Sequence, residues 1–496
     1  MLVEVSLLIC VLSIIFIFIK PTFSSKSSLK SYPFIGNYLS IYTNRHRLTQ
    51  WTSECVNNSP SLTFLLKRPF GQTRVITGNP DIVQHILKTK FSSYGKGDIF
   101  HSTLYDLLGD GIFNVDGDEW KFQRQLSSHE FNTKSLRHFV ENVVDNELNE
   151  RLIPILRIAA TNDTILDLQD LLQRFAFDNI CRIAFGYDPK YLTPSLPQSK
   201  FAVAFEDAVR ISSTRFRMIT PLLWKVKRFL NIGSEKRLKE AVYEIREFAT
   251  KIMNEKKQEL AHNSPSMQSV DLLSRFISLG HLDEKFVTDI VISFILAGKD
   301  STSAALTWFF WLLYKNPDVE NEVVKEVKGK SDSPIYDEVK DMVYTHAALC
   351  ESMRLYPPVP VDSKMANEDD VLPDGTVVKK GMMVNYHPYA MGRAEKLWGA
   401  DWREFRPERW MEKDETTKKL RFVAKDPYIY PVFQAGPRIC LGKDMAFLQM
   451  KRVVSGVLQH FKIVPVLNDD GDSPVFMSAL TSKMKDGFPV KIKERQ

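Results

Sequence analysis

The chain has 496 residues, of which 44% are hydrophobic and 25% charged, and its formal net charge is +6. This is the composition of an ordinary globular protein with a large core, and the mild positive charge does not by itself indicate a nucleic acid partner. The five cysteines include no C-x-x-C pair, which argues against a disulfide framework and a zinc site and favours a reducing, cytosolic setting for the main body.

The first residues predict a membrane anchor. Residues 2–19 are apolar except for one glutamate and a few serines, and 18 residues just span the hydrocarbon core of a bilayer. Lys20, Lys26 and Lys30 follow, and the positive-inside rule then keeps the rest of the chain in the cytoplasm. A cleaved signal peptide, the alternative, carries its positive charge before the apolar run. We predict three segments: a transmembrane signal anchor over 1–20, a linker and proline hinge over 21–36, and a catalytic domain over 37–496.

The body of the chain predicts helices with a few short strands. Helical patterns cover four segments: 118–128, 235–260, 283–315 and 443–461. Strand-like patterns appear at 62–66, 73–77, 377–378, 382–386 and within 475–493, and the polar stretch 262–269 predicts a loop. No alternation of strands and helices indicates a doubly wound sheet. We therefore predict a mainly α domain with small β-sheets.

One short segment carries the clearest chemical signal. Phe433, Gly436, Arg438, Cys440 and Gly442 form the pattern F-x-x-G-x-R-x-C-x-G, directly ahead of a predicted helix. The two glycines permit conformations and close approaches that a Cβ would block, and N–H groups at a helix N-terminus stabilise a thiolate. The alternative is a buried free thiol. In this segment the chain resembles the cytochrome P450 haem-thiolate monooxygenases, which implies that Cys440 binds the iron of haem b and that Arg438 holds a propionate.

A second motif lies in the middle of the long predicted helix. Ala297 and Gly298 remove bulk, which leaves room for a flat macrocycle and O₂. Asp300 and a neighbouring hydroxyl can relay protons, whereas the alternative is an ordinary kinked core helix. The segment resembles the A-G-x-D-T-T motif of the P450 family, with Ser301 at the usual first threonine and Thr302 at the second. We expect Ser301 to be the main relay hydroxyl, with Thr302 in support.

Two further groups of residues match the family. Trp120 and Arg124 are one helical turn apart and are both donors, and the resemblance places them on a haem propionate. Glu351 and Arg354 lie on one helix face, and the family resemblance adds Arg409, giving a structural Glu–Arg–Arg cluster around the cysteine loop. The alternative for the first pair is ordinary packing, and for the second a surface ion pair of little value.

The substrate class is predicted by resemblance alone. Segments 303–313, 223–233 and 386–393 resemble the plant fatty-acid ω-hydroxylases of the P450 family. This implies a single-pass protein of the endoplasmic reticulum membrane with a cytoplasmic catalytic domain, using O₂ and a lipid substrate. It also implies electrons from NADPH through a reductase, and NADPH is expected to bind that partner because the chain has no G-x-G-x-x-G or P-loop. The alternatives are a hydroxylase of a jasmonate–amino acid conjugate, a haem hydroperoxide lyase or isomerase, and a non-catalytic haem sensor.

Hypotheses about substrate contact and about two surfaces complete the predictions. Five residues are expected to border an apolar tunnel, although each is by itself more typical of core: Phe294, Ile295, Ala297, Leu480 and Phe488. Residues 221–228 combine leucines and Trp224 with basic residues and could lie on an anionic membrane. A set of basic residues flanking the cysteine loop could dock an acidic electron donor: Lys121, Lys134, Arg137, Lys443, Lys451 and Arg452. A solvated basic face is the alternative for both surfaces.

Overall fold

A computed structural model describes most of the chain. It covers residues 22–24, 27–131, 133–218, 220–262, 271–278, 283–331, 334–415, 420–467 and 474–495. The predicted anchor over 1–20 and nearly all of the predicted loop 262–269 lie outside the described residues. The domain boundaries at residues 20 and 36 therefore stay predictions.

Helices dominate the described residues, as the sequence predicts. The α-helices are α1 Tyr38–Thr43, α2 Leu48–Asn57, α3 Pro80–Gln84, α4 Gly97–Leu108, α5 Gly117–Ser128, α6 Thr133–His138, α7 Asp145–Glu147, α8 Ile153–Thr161, α9 Leu168–Phe185, α10 Lys200–Arg215, α11 Pro221–Phe229, α12 Gly233–His262, α13 Leu272–Ser278, α14 Glu284–Lys315, α15 Pro317–Lys328, α16 Tyr336–Lys340, α17 Val343–Leu355, α18 Pro388–Met391, α19 Glu395–Trp398 and α20 Lys443–His460. Single turns of 3₁₀-helix include Pro407–Trp410, Pro431–Phe433 and Gly436–Arg438. The four long predicted helices correspond to α5, α12, α14 and α20.

The strands are short and form small sheets. They are β1 Thr22–Ser24, β2 Ser27–Ser31, β3 Thr63–Lys67, β4 Thr73–Thr77, β5 Tyr94–Gly95, β6 Ile165–Asp167, β7 Asp362–Ala366, β8 Asp370–Val371, β9 Val377–Val378, β10 Met383–Tyr386, β11 Met411–Lys413, β12 Leu420–Phe422, β13 Phe461–Pro465, β14 Phe476–Ser478, β15 Ser482–Met484 and β16 Pro489–Glu494. β1 and β2 pair antiparallel, so the predicted linker contains regular structure that its serine-rich composition did not indicate. The prediction of a mainly α fold with small sheets is confirmed.

The residues form two compact units. The first unit combines the described residues of 22–97, Met218–Leu223 and Val361–Trp402. It holds a five-stranded sheet in the order β3-β4-β10-β7-β5, in which β4 and β10 run parallel and the other pairs antiparallel. Trp51, Phe64 and Ile76 belong to its small apolar core. Strands far apart in sequence build this sheet, so local patterns predict its strands but not their order.

The second unit combines Asp98–Arg217, Trp224–Pro360 and Arg403–Gln496. Helix α14 is its longest helix and is hydrophobic on nearly all sides, which a helix tolerates only when other elements surround it. Among the described residues, α14 is the helix long and apolar enough to cross a membrane by length and composition. However, 72% of its most apolar window is buried inside the protein. This is the burial expected of a core helix.

Candidate active site

The cysteine loop is a tight turn closed by backbone hydrogen bonds. The N–H of Cys440 donates to the carbonyl of Phe433 at 2.8 Å, and the N–H of Ile439 donates to the carbonyl of Gly436 at 3.1 Å. Gln434 and Gly436 have φ angles of 61° and 65°, in the left-handed region that favours glycine. The chain thereby reverses before α20 begins three residues after the sulfur. The expected conformational role of Gly436 is present, and Gln434 shares it, which the sequence pattern did not reveal.

The conformational freedom predicted for Gly442 is not used, whereas its close approach to haem stays a prediction. Its φ of −85° suits any residue. A Cβ there would meet only Phe131 at 3.6 Å and the Cys440 sulfur at 4.0 Å, which are ordinary contacts. The protein atoms alone therefore leave room for a side chain at this position. What Gly442 contributes is its N–H, whose hydrogen bond to the sulfur lowers the pKa of Cys440.

The Cys440 thiol is reachable by solvent although protein atoms surround it. Burial is the largest influence and raises the pKa of this thiol, while the Gly442 N–H and the charges of Arg124 and Lys443 lower it. The protein thus compensates the negative charge of a thiolate only in part. A bound metal cation would supply further positive charge and favour the thiolate.

Arg124, whose charge acts on Cys440, lies with Arg438 around the ring of Trp120. The guanidinium of Arg438 sits 4.4 Å and that of Arg124 5.9 Å from the Trp120 ring centre. Arg438 donates to Asp116 Oδ1 at 2.6 Å and to the carbonyl of Val115 at 2.8 Å. Arg124 is half-buried, burial lowers its pKa, and it has no carboxylate partner among the residues that the structure describes. This half-buried cation fits a group that carries carboxylates, such as haem with its propionates.

Helix α14 presents a narrow accessible strip. Phe294, Ala297, Gly298 and Ser301 are half-buried, whereas most of their neighbours on the helix are buried. The spacing of i, i+3, i+4 and i+7 places these four residues on one face. Thr302 is buried, with 5% of its surface exposed. Of the two candidate relay hydroxyls, Ser301 is therefore the one on the accessible face.

Local bonds hold the polar groups on this strip and next to it. The Ser301 hydroxyl donates to the carbonyl of Ala297 at 2.7 Å. Asp300 forms an ion pair with Lys299 at 2.7 Å, a partner that the motif did not indicate. A Cβ at Gly298 would lie 2.6 Å from Ile180 of α9. In the protein itself, Gly298 thus allows two helices to pack closely, a physical reason other than the predicted room for a macrocycle.

The Glu–Arg–Arg cluster is present and is deeply buried. Glu351 and Arg354 are fully buried and joined by two hydrogen bonds of 2.8 Å. Arg409 donates to Glu351 at 3.1 Å, and the indole N–H of Trp410 donates to it at 2.9 Å. Burial excludes the alternative of a surface ion pair. Trp410, the residue directly after Arg409, is the member of the cluster that sequence reasoning missed.

These features together define the class of protein. A thiol that solvent can reach, three residues before a helix and near cations suited to carboxylates, is the arrangement of a haem-thiolate oxygenase. The chain belongs to the cytochrome P450 family, whose family model, "Cytochrome P450", matches residues 27–487. Members of this family are monooxygenases that use haem with an axial cysteine thiolate, and their electrons come from NADPH through a reductase.

Curated plant proteins are similar along nearly the whole chain. Cytochrome P450 94A1 from Vicia sativa is 64% identical over 466 residues, which cover 94% of this chain and 90% of the relative. Cytochrome P450 94A2 from the same plant is 62% identical over 468 residues, covering 94% and 91%. Cytochrome P450 94B1 from Arabidopsis thaliana is 48% identical over 482 residues, covering 96% and 93%. The predicted family is thus confirmed, within the plant 94 group.

Proposed function

We propose that this protein inserts one oxygen atom from O₂ at or near the terminal carbon of a fatty acid. The observation that carries this proposal is the accessible strip of α14, which combines the Ser301 hydroxyl with apolar surface. Phe294 on this strip and Leu480 are half-buried and pack against the same large apolar core cluster. Such surface suits an alkyl chain, because each buried methylene contributes about 0.8 kcal/mol.

Each residue of the site has its own proposed role in binding haem or in proton transfer. Haem bound at Cys440 supplies the activation of O₂. Cys440 would hold the iron as a thiolate, and Trp120, Arg124 and Arg438 would bind the propionates. The Phe433 ring lies 5.1 Å from that of Phe447. The Ser301 hydroxyl, hydrogen-bonded to the Ala297 carbonyl, and the Asp300 carboxylate would hold and pass protons, with Thr302 in support of this relay.

Two of the predicted tunnel residues belong to the core. Ile295 is 0% and Phe488 2% exposed, and the Phe488 ring packs edge-on against Trp311 at 6.4 Å. Neither offers surface to a ligand in this structure. A single apolar residue in a sequence does not reveal which side of its helix or strand faces the protein, which is why Phe294 and Leu480 could not be distinguished from them.

Ser301→Ala is expected to uncouple NADPH oxidation from product formation. Loss of the hydroxyl removes a proton donor from the accessible face, so we expect most electrons to appear as hydrogen peroxide, with haem content unchanged. Asp300→Asn is expected to slow product formation by about a hundredfold. Product, peroxide and NADPH are measured together.

The matched control is Ser303→Ala. Ser303 makes the same bond to the carbonyl four residues earlier, at 2.8 Å, but is buried. This variant should remain coupled. A coupled Ser301→Ala together with an uncoupled Thr302→Ala would reverse the roles proposed for the two hydroxyls.

The chain-length dependence of turnover tests the substrate. In microsomes with reductase and NADPH, affinity for saturated acids is expected to rise about fourfold per methylene until the apolar surface is filled. Mass spectrometry should find alcohols at or near the chain end. Activity in the microsomal fraction would also support the proposed anchor over 1–20 and the endoplasmic reticulum location.

The same experiment separates the alternatives. A flat length dependence or mid-chain oxidation contradicts the fatty-acid proposal and favours a jasmonate–amino acid conjugate. Turnover of a hydroperoxide without NADPH and reductase would indicate a lyase or isomerase, for which Asp300 and Ser301 would have no use. Reductase-dependent product formation would exclude a haem sensor.

The hypothesis that residues 221–228 lie on a membrane keeps its leucines but loses Trp224. Leu222, Leu223, Val226 and Phe229 of α11 are exposed, Phe229 by 89%. Trp224, however, is 2% exposed and lies under the guanidinium of Arg215 at 4.3 Å, so it is not a lipid contact. We propose that the exposed apolar residues of α11, with the basic residues between them, touch the membrane surface.

Two of the basic residues predicted to dock an acidic electron donor are buried. Lys451 is 4% exposed, with its Nζ 2.8 Å from the carbonyl of Lys340, and burial lowers its pKa to about 8. Arg452 is fully buried and paired with Asp145. Lys121 and Arg137 remain exposed enough to steer a partner, although both are paired with carboxylates. The side chain of Lys134 lies outside the described part of the chain.

A further inference from the structure

Three acidic side chains of the second unit come together beside α9. They are Glu147 of α7, Asp178 of α9 and Asp188 in the segment after α9, and one carboxyl oxygen of each lies within 4.8 Å of the others. The side chains of Glu147 and Asp178 are fully buried. Because buried carboxylates repel one another strongly, such a cluster needs compensating positive charge.

Two arginines compensate this cluster only in part. Arg151 donates to Glu147 Oε2 at 2.9 Å and to Asp188 at 2.6 Å, and Arg182 lies 3.5 Å from the same oxygen of Glu147. The other oxygen of Glu147, Oε1, is buried and accepts no hydrogen bond from the described residues. Three acids thus face two guanidinium groups, and one negative charge is uncompensated when all three acids are ionised.

The other titratable groups around Glu147 do not supply the missing charge. On α9, burial and then the nearby acids raise the pKa of the Cys181 thiol, which is therefore neutral. On α20, the charge of Arg452 is taken by Asp145, two residues before Glu147. A proton is the simplest cation that balances the cluster.

We infer that Glu147 and Asp178 share one proton, and that this proton fastens the segment 186–192 to α9. Two adjacent buried carboxyl groups are compatible when one of them is protonated, because the protonated group can donate to the other. Asp178 also accepts the backbone N–H groups of Tyr191 and Leu192, both at 2.8 Å. Loss of the shared proton sets two buried negative charges against each other and loosens this segment.

The titration of the two acids agrees with a shared proton. Burial, and then the charge of Asp178, raises the pKa of Glu147 from its ordinary 4.5 to about 8, while the charge of Arg151 lowers it. Burial also raises the pKa of Asp178, against the hydrogen bonds that it accepts. The folded protein therefore binds more protons here than the unfolded chain between pH 4.5 and about 8, so stability falls as pH rises through this window.

The cluster lies on the side of α9 opposite to the active-site helix. Asp178 and Arg182 are four residues apart and share one face of α9, whereas Ile180 points to the other side. Ile180 is the residue that a Cβ at Gly298 of α14 would meet at 2.6 Å. The segment 186–192 therefore supports α9 from behind, independently of the substrate.

Glu147→Gln is expected to remove this pH dependence. The carboxamide is uncharged at every pH, and its NH₂ can donate to Asp178 as the shared proton does. In urea unfolding of the holoenzyme, the folding equilibrium constant of the wild type should fall about tenfold per pH unit from pH 6 to 8 relative to that of the variant. At pH 8.5 the variant should be the more stable protein.

Glu320→Gln is the matched control. Glu320 is also buried and pairs with Arg495, but it belongs to no cluster of three acids among the described residues. Its stability should change with pH in parallel with the wild type. Parallel profiles for the wild type and Glu147→Gln would overturn the shared proton. So would a stabilisation of the wild type by Ca²⁺ at pH 8 that Glu147→Gln abolishes, since a metal ion would then balance the acids.

Hydrogen exchange in the wild type measures the loosening without any variant. After correction for the intrinsic exchange rate, protection of the segment 186–192 should fall about tenfold or more from pH 6 to 8. Constant protection over this range would show that the shared proton does not hold the segment.

Discussion

Cys440→Ser is expected to abolish the thiolate-type absorption spectrum of the reduced carbonyl complex completely. A serine hydroxyl at this position does not ionise to replace the thiolate, and the residues beside it that favour an anion, Arg124 and the Gly442 N–H, would have none to stabilise. Monooxygenase activity should be lost with the spectrum. The measurement is the difference spectrum of the purified protein after reduction and addition of carbon monoxide.

Cys350→Ala provides the control. Cys350 is buried, burial raises the pKa of its thiol, and its carbonyl accepts a hydrogen bond from Tyr430 at 3.0 Å, which alanine preserves. This variant should keep the thiolate-type spectrum. A normal spectrum from Cys440→Ser would disprove the assignment of the iron ligand.

Glu351→Gln is expected to lower the free energy of unfolding by about 3–5 kcal/mol and to reduce haem content. Glu351 is fully buried and accepts from Arg354, Arg409 and the indole of Trp410. An amide turns one acceptor oxygen into a donor, so it leaves the two arginines uncompensated and places its NH₂ against their N–H groups. Urea unfolding and the haem absorbance per protein measure the two effects.

The same substitution at an exposed glutamate shows how much burial adds to the loss of unfolding free energy. Glu412 pairs with Arg421 at 3.0 Å, and its side chain is 58% exposed. Because exposed ion pairs contribute about 0–1 kcal/mol, Glu412→Gln should change the unfolding free energy little. Similar losses from both variants would show that the Glu351 cluster does not hold the fold.

The sequence predicted those elements and motifs whose residues are close together in the chain. The helix α14 was recognisable from 283 to 315 because it is apolar along its length, and the strands β3 and β4 from their alternation. The cysteine loop was recognisable because its residues are contiguous, so sulfur, glycines and arginine must lie together in any fold. The cluster of Glu351, Arg354 and Arg409 was predicted only through family resemblance, since Arg409 is distant in sequence.

The sequence by itself thus determined the family, the cysteine loop and the nature of the helices. Tertiary structure alone decided which side chains are reachable: Ser301 faces accessible space while Thr302 is buried, and Lys451 and Arg452 are buried although basic residues are typical of surfaces. Burial and charge pairing depend on elements far apart in the chain, and a helix or strand pattern does not record what packs against each of its faces.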